Sequence, residues 1–249
     1  MRMVDRGTGK DVRGAFVRTT IPLRCFTLPA ARRRDQTLGM TMTPHPIRDR
    51  FNAWLLAVLD GYMHAKYGAL KSSLLGDAPP TVLEIGPGAG ANFRYYPRGT
   101  HVVAVEPNVG MHARLMASAA RHGIELELLQ VDAESIPLEG ASVDLVCSTL
   151  VLCSVDRPES VVAEARRLLR PRGRFVCIEH VAAPRSSPVE KVQRSIRRPW
   201  RWLFEGCDLC RDTETTLRSA GFHSVEVRRF KMRTAFVPLR YQIAAVCTV

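Results

Sequence analysis

A short apolar run that ends in closely spaced glycines constrains the fold of this chain more than any other feature. Residues 81–85 are mostly apolar, and Gly86, Gly88 and Gly90 follow them at alternate positions. Glycines directly after a buried strand permit a tight turn, and they let a ligand approach the backbone closely. The pattern therefore predicts a strand that ends in a ligand-binding loop.

An acidic residue at the end of the next predicted strand indicates what the loop binds. Glu106 follows Gly86 by twenty residues, and a carboxylate there can accept hydrogen bonds from both ribose hydroxyls of an adenosine. The spacing Gly86-x-Gly88-x-x-Ala91 also matches the dinucleotide fingerprint. Glu84 favours a different ligand, because its negative charge suits a cationic sulfonium and is unfavourable beside a pyrophosphate.

A third carboxylate completes the predicted site. Asp132 ends the third predicted strand, where its side chain and the backbone at Ala133 can contact an adenine amino group. Three acids at successive strand ends predict an S-adenosylmethionine site. Structural roles stay open for each of them: loop bracing for Glu84, a solvated turn for Glu106 and a simple turn for Asp132.

Strand-like and helix-like patterns alternate through the middle of the chain. Such alternation predicts a parallel sheet covered by helices on both faces, which is a doubly wound α/β fold. The predicted strands are residues 81–85, 101–105, 125–131, 143–148 and 174–179, the last after a turn at 171–173, and the helices include 111–122 and 157–169.

The last part of the chain departs from this alternation. Asp212 or Thr213 can cap a helix that stops at Gly221, and the strand-like runs 224–230 and 240–249 follow without another helix between them. Two consecutive strands predict an antiparallel hairpin at the edge of the sheet.

The 249 residues suffice for one domain. We expect a disordered basic extension at 1–42 and a domain at 43–249, whose first helix covers part of the cleft. The segment 186–211 interrupts the strand–helix alternation and contains aromatic residues, so we expect it to form a lid over the substrate pocket.

The net charge of +12 is concentrated in two places, the segment 1–42 and a basic cluster at 185–201. No nucleic-acid-binding motif accompanies these charges. They predict a solvated basic face or attraction to an anionic surface. We therefore expect possible peripheral contact with a membrane and no nucleic-acid partner. No apolar run is long enough to span a bilayer and no secretory signal is evident, so we expect a cytoplasmic protein.

Seven scattered cysteines favour reduced thiols over a disulfide framework. Cys207 and Cys210 form a Cys-x-x-Cys pair, but no second pair and no suitably spaced histidine accompanies it. The sequence therefore predicts no metal site.

Several motifs resemble a known enzyme family. The segments 84–93 (EIGPGAGANF) and 105–108 (VEPN) resemble the first two motifs of class I S-adenosylmethionine-dependent methyltransferases. The segments 148–155 (STLVLCSV) and 179–184 (EHVAAP), with Gly206-Cys207 and 211–213 (RDT), resemble its thiol S-methyltransferase-like (methyltransferase-like seven) branch. The similarity covers about residues 80–225.

The resemblance implies a seven-stranded, Rossmann-like sheet and S-adenosylmethionine as the methyl donor. The three glycines would shape the methionine pocket, Glu106 would hold the ribose, and Asp132 and Ala133 would flank the adenine. Pro107, Ser148 and Leu150 complete the predicted cofactor-binding set. Characterised animal relatives methylate small thiols and carry an N-terminal membrane anchor, and this sequence shows no equivalent apolar segment.

His180 follows the fifth predicted strand, where the acceptor should approach, and it is the candidate base or substrate-orienting group. A purely structural role for this histidine stays open. The favoured function is methyl transfer to a small-molecule acceptor, a thiol first. The alternatives are a quinone or phospholipid methyltransferase and a non-catalytic S-adenosylmethionine-binding module; a nicotinamide-dependent oxidoreductase is disfavoured. The sequence does not indicate an oligomeric state.

Overall fold

The computed structural model describes residues 46–234 and 236–249, with side chains from residue 58 onward. The predicted basic extension at 1–42 lies outside the described residues. So do the side chains at the start of the first predicted helix.

Within the described ranges, seven strands form one sheet in the order β3-β2-β1-β4-β5-β7-β6. β1 to β5 pair in parallel, whereas β7 is antiparallel to both of its neighbours. The predicted mostly parallel sheet with a C-terminal antiparallel hairpin is therefore confirmed. The strands are β1 (Thr81–Ile85), β2 (His101–Val105), β3 (Glu125–Leu129), β4 (Val143–Thr149), β5 (Leu169–His180), β6 (Ser224–Lys231) and β7 (Tyr241–Thr248).

Helices cover both faces of the sheet. Val161 and Leu168 of one helix pack with Leu217 of another on one face, and Leu115 packs with Leu75 on the opposite face. This two-sided burial explains the apolar runs of the central parallel strands, such as residues 102–105 of β2. The helices are α1 (Pro46–Leu75), α2 (Val109–His122), α3 (Pro158–Leu168), α4 (Pro188–Leu203) and α5 (Thr213–Ser219).

The predicted start of β5 was wrong. β5 begins at Leu169 rather than at residue 174, because Leu169 pairs with Val143 directly after α3. The predicted turn at 171–173 becomes an irregularity within the strand. α1 extends to Leu75, and its second half packs on the sheet. Tyr67 is buried there in a cluster with Ile178.

The predicted lid segment contains α4, which begins after Ser187. The hydroxyl of Ser187 accepts a hydrogen bond from the backbone N–H of Glu190 and so caps the helix. Trp200 and Phe204 pack against a small buried cluster at the ends of β4 and β5, while Trp202 is 55% exposed. The helix thus covers this end of the sheet. None of the helices that the structure describes combines the length and apolar character required to cross a membrane.

Candidate active site

The ends of the first three strands lie side by side at one edge of the sheet. Ile85 pairs with Val105, and Val105 pairs with Leu129. Beyond the strands, the backbone N–H of Gly86 donates to the carbonyl of Val105 at 2.9 Å, and that of Glu106 donates to the carbonyl of Leu129 at 3.0 Å. The loops after these strands therefore leave the sheet from a shared edge, as the acidic positions predicted.

All three loop glycines have left-handed backbone angles, with φ of +62° at Gly86, +56° at Gly88 and +80° at Gly90. A Cβ on Gly86 would lie 2.6 Å from a methyl group of Val151, and one on Gly90 would lie 2.9 Å from Ser118. A Cβ on Gly88 would meet no atom within 4 Å. Gly86 and Gly90 are thus required by packing, whereas Gly88 borders open space.

Glu106 connects the glycine loop to the end of β2. The residue is 6% exposed, and its carboxylate accepts hydrogen bonds from the backbone N–H groups of Gly88 and Asn108, both at 2.9 Å. Burial raises its pKa above the ordinary value. Each carboxylate oxygen retains a second lone pair, so the group can accept further bonds from a ligand.

Glu84 is held inside the protein. The residue is 1% exposed, and its two oxygens accept hydrogen bonds from Asn92 Nδ2 at 2.8 Å and from the Tyr96 hydroxyl at 2.9 Å. Burial raises its pKa to about 7. These contacts favour the loop-bracing role that the sequence left open, and a direct contact between Glu84 and the ligand stays a prediction.

The other predicted contacts at the ends of β2 and β3 lie at the surface. Asp132 is exposed in the turn after β3, with Ala133 half-buried beside it, and Pro107 is exposed directly after Glu106. The carbonyl of Asp132 accepts a hydrogen bond from the backbone N–H of Ser135 at 3.3 Å. The cofactor roles of these three residues stay predictions.

Sequence reasoning did not select Glu179, which organises the loop after β4. This fully buried carboxylate accepts hydrogen bonds from the backbone N–H groups of residues 151, 152 and 153 at 3.0–3.1 Å and from Ser148 Oγ at 3.3 Å. Leu150 in the same loop has a left-handed φ of +60°, which is uncommon for a residue with a side chain. The signal for Glu179 in the sequence was an acidic residue within the apolar run of β5.

His180 lies at the end of β5 beside two buried cysteines. Its Nδ1 lies 3.9 Å from Cys153 Sγ and 3.8 Å from Cys207 Sγ, and the sulfurs lie 3.8 Å apart. Hydrogen bonds that link Cys207 to Cys153 and His180 hold the pKa of Cys207 well below its ordinary value. The sequence paired Cys207 with Cys210, but the fold groups it with residues from two other segments.

Comparison with known proteins identifies the family. A family model described as a methyltransferase domain matches residues 83–177. Thiol S-methyltransferase TMT1A of Homo sapiens is 37% identical over 68% of this chain and 72% of that protein. Thiol S-methyltransferase TMT1B of Rattus norvegicus is 33% identical over 73% of this chain and 79% of that protein. The chain belongs to the thiol S-methyltransferase family of class I S-adenosylmethionine-dependent methyltransferases.

A solved structure supports the fold of this methyltransferase independently. The S-adenosylmethionine-dependent methyltransferase of Thermotoga maritima superposes with a TM-score of 0.58 at 17% identity, over 81% of this chain and 97% of that one. At an identity this low, the comparison supports the fold and nothing more.

The residues at the glycine loop fit S-adenosylmethionine, the methyl donor of this family. The space beside Gly88 leaves room for a ligand against the backbone, and Glu106 offers acceptors for ribose hydroxyls. Among the described residues, no donor reaches Asn92 Oδ1, a buried atom. A buried acceptor without a partner costs stability, and an ammonium group of the ligand would satisfy it.

We expect Glu106→Ala to weaken S-adenosylmethionine binding by roughly 1.5–3 kcal/mol, because charged hydrogen bonds are lost. Titration calorimetry measures the change. The control is Asp144→Ala on β4, whose exposed ion pair with Arg170 lies away from the site and should leave the affinity unchanged. Equal affinities of the wild type and Glu106→Ala would remove Glu106 from the site.

Glu84 should make the stability of the methyltransferase depend on pH. Its pKa rises from 4.5 in the unfolded chain to about 7 in the fold, so its stabilising contribution is complete below pH 4.5 and is lost as the pH rises through 7. Glu84→Gln mimics the protonated acid and should abolish this component, which is on the order of 3 kcal/mol. Denaturant unfolding across this pH range tests it, and parallel pH profiles for both proteins would refute the assignment.

Proposed function

We propose that this methyltransferase transfers a methyl group from S-adenosylmethionine to the sulfur of a small thiol. The observation that carries the proposal is the similarity to two thiol S-methyltransferases, at 33% and 37% identity over 79% and 72% of their lengths. The geometry of the acceptor side supports it.

In a doubly wound sheet, ligands bind beyond the carboxyl ends of the strands. The donor would lie over β1 to β3, and the acceptor would then lie over β4 and β5. His180 ends β5, and Glu179 fixes the adjacent loop by its backbone hydrogen bonds. Because α4 covers this region through Trp200 and Phe204, the acceptor would react away from bulk water.

The bound sulfonium supplies an electrophilic methyl group. The acceptor thiol first loses its proton to solvent, since the thiolate is the nucleophile. Its lone pair forms the new sulfur–carbon bond while the sulfonium carbon–sulfur bond breaks, and that electron pair stays on the departing S-adenosylhomocysteine. The protein contributes by aligning the two sulfur atoms and excluding water. We assign His180 to orienting the acceptor or favouring its ionisation.

A lipophilic quinone or a phospholipid headgroup is the second candidate acceptor. The exposed indole of Trp202 and the basic residues of α4 favour it, since aromatic and cationic side chains suit contact with an anionic lipid surface.

Incubation with labelled S-adenosylmethionine tests the acceptor. Hydrogen sulfide, small alkyl and aryl thiols, quinones and phospholipid vesicles are offered separately, and we expect methylated product from thiols. The oxygen analogue of the best thiol is the matched control and should give none. Product from quinones or lipids alone would refute the thiol proposal, and S-adenosylmethionine binding without any product would favour the non-catalytic alternative.

A further inference from the structure

Cys153, His180 and Cys207 place three metal-ligating atoms together. Their sulfur and Nδ1 atoms form a triangle with sides of 3.8, 3.8 and 3.9 Å. A tetrahedral zinc ion, with Zn–S of about 2.3 Å and Zn–N of about 2.0 Å, holds neighbouring sulfurs about 3.8 Å apart and a nitrogen–sulfur pair about 3.5 Å apart. The triangle therefore has nearly the dimensions of one face of a zinc coordination tetrahedron.

The backbone holds the two cysteine segments against each other. The backbone N–H of Cys153 donates to Glu179 at 3.1 Å, and that of Asp208 donates to the carbonyl of Cys153 at 2.7 Å. Gly206 has a φ of +92°, and a Cβ there would lie 2.6 Å from the carbonyl oxygen of Ser154. Only glycine permits this close approach, so the position of Cys207 beside Cys153 is fixed before any ligand binds.

α4 is also hydrogen-bonded to the segment that carries Cys207. Asp208, the residue after Cys207, accepts hydrogen bonds from Arg197 of α4, the shortest at 2.6 Å. Ile196, Trp200 and Phe204 of α4 enclose the cluster with apolar surface. All three ligating residues are buried, which limits their exposure to water. A buried, pre-formed set of two thiols and an imidazole has the ligand types that zinc prefers in proteins.

We propose that Cys153, Cys207 and His180 Nδ1 bind one zinc ion. Among the described residues, these three form the one group of His, Cys, Asp and Glu side chains close enough to share a metal. Three protein ligands leave one position of the tetrahedron for another ligand, as in catalytic zinc sites. Cys210, the other cysteine of the Cys-x-x-Cys pair, does not belong to the group.

The location gives the ion a role that rests on the proposed function. The site lies at the ends of β4 and β5, on the side assigned to the acceptor. A thiol that takes the remaining coordination position loses its proton to solvent, because a thiol bound to zinc is deprotonated. In this arrangement His180 acts as a ligand and not as a proton acceptor.

Metal analysis of the purified full chain tests the site. After expression with added zinc, we expect about one zinc ion per wild-type chain, and less than about a tenth of that in Cys153→Ser and in Cys207→Ser. Cys210→Ser is the matched control, because it removes a thiol from the same loop, and it should keep the metal. Zinc-free wild type in which Cys153 and Cys207 are joined in a disulfide would overturn the proposal, as would loss of zinc from Cys210→Ser alone.

Two further measurements separate loss of metal from loss of folding or of function. Calorimetry with S-adenosylmethionine shows which variants still fold, and variants that bind it normally without zinc support the site. Cobalt titration of zinc-free wild type needs no variant: we expect thiolate-to-cobalt charge transfer and tetrahedral visible bands, which shift when 2-mercaptoethanol is added. Absence of the charge-transfer band overturns the site. If the bands do not shift with the thiol, the acceptor role is wrong but the zinc site stands. Normal zinc content without any thiol methylation refutes only the proposed function and not the zinc site.

Discussion

Gly88→Leu should weaken S-adenosylmethionine binding by about 3 kcal/mol, roughly a hundredfold in Kd, while the protein stays folded. Gly88 borders open space, so a larger side chain there meets no protein atom at its Cβ. It instead occupies the volume that we assign to the cofactor. Titration calorimetry measures the affinity, and circular dichroism with thermal unfolding verifies the fold.

The control for this prediction is Gly99→Leu. Gly99 also has a left-handed backbone, with φ of +83°, and also has no atom within 4 Å of an added Cβ. It precedes β2, at the opposite edge of the sheet. Both substitutions therefore carry the same backbone strain of about 1–2 kcal/mol, but only Gly88→Leu should affect binding. Equal affinities of the two variants would show that the cofactor does not lie against Gly88.

Glu179→Ala should destabilise the fold by about 3 kcal/mol or more. The substitution leaves three backbone N–H groups of the loop after β4 without their acceptor, and each buried unpaired donor costs about 1–3 kcal/mol. Guanidinium denaturation measures the free energy of unfolding. We also expect methyl transfer to fall, because this loop carries Leu150 and Cys153.

Asp144→Ala serves as the control for the loss of a carboxylate. Its ion pair with Arg170 is about half exposed on both sides, and such pairs contribute about 0–1 kcal/mol. Glu179→Gln keeps one carbonyl acceptor and should fall between the two. A loss below about 1 kcal/mol for Glu179→Ala would mean that the loop keeps its conformation without this carboxylate.

Local sequence patterns predicted most of the sheet and the glycine loop that follows β1. β1 and β2 were predicted with the observed bounds, because short apolar runs bounded by glycine, proline and charged residues define buried strands. The positive φ angles of Gly86, Gly88 and Gly90 agree with the tight turn that these glycines predicted. The start of β5 was missed because Pro171 and Gly173 favour a turn, and the pairing of Leu169 with Val143 overrides that preference.

Groups assembled from distant segments were not predictable in this way. Cys207 lies 54 residues from Cys153 and 27 from His180, whereas metal motifs in sequence are recognised by short, regular spacing. The grouping depends on α4 folding back over the ends of β4 and β5, and on the close approach at Gly206. Glu179 was missed for a related reason, since its partners are backbone groups that the sequence does not reveal.

Calorimetry of the purified chain with S-adenosylmethionine, S-adenosylhomocysteine and NAD tests the central claim most directly. The glycine loop and its carboxylates should bind both sulfur compounds and should not bind NAD. Tight binding of NAD with no binding of either sulfur compound would contradict the assignment of this site.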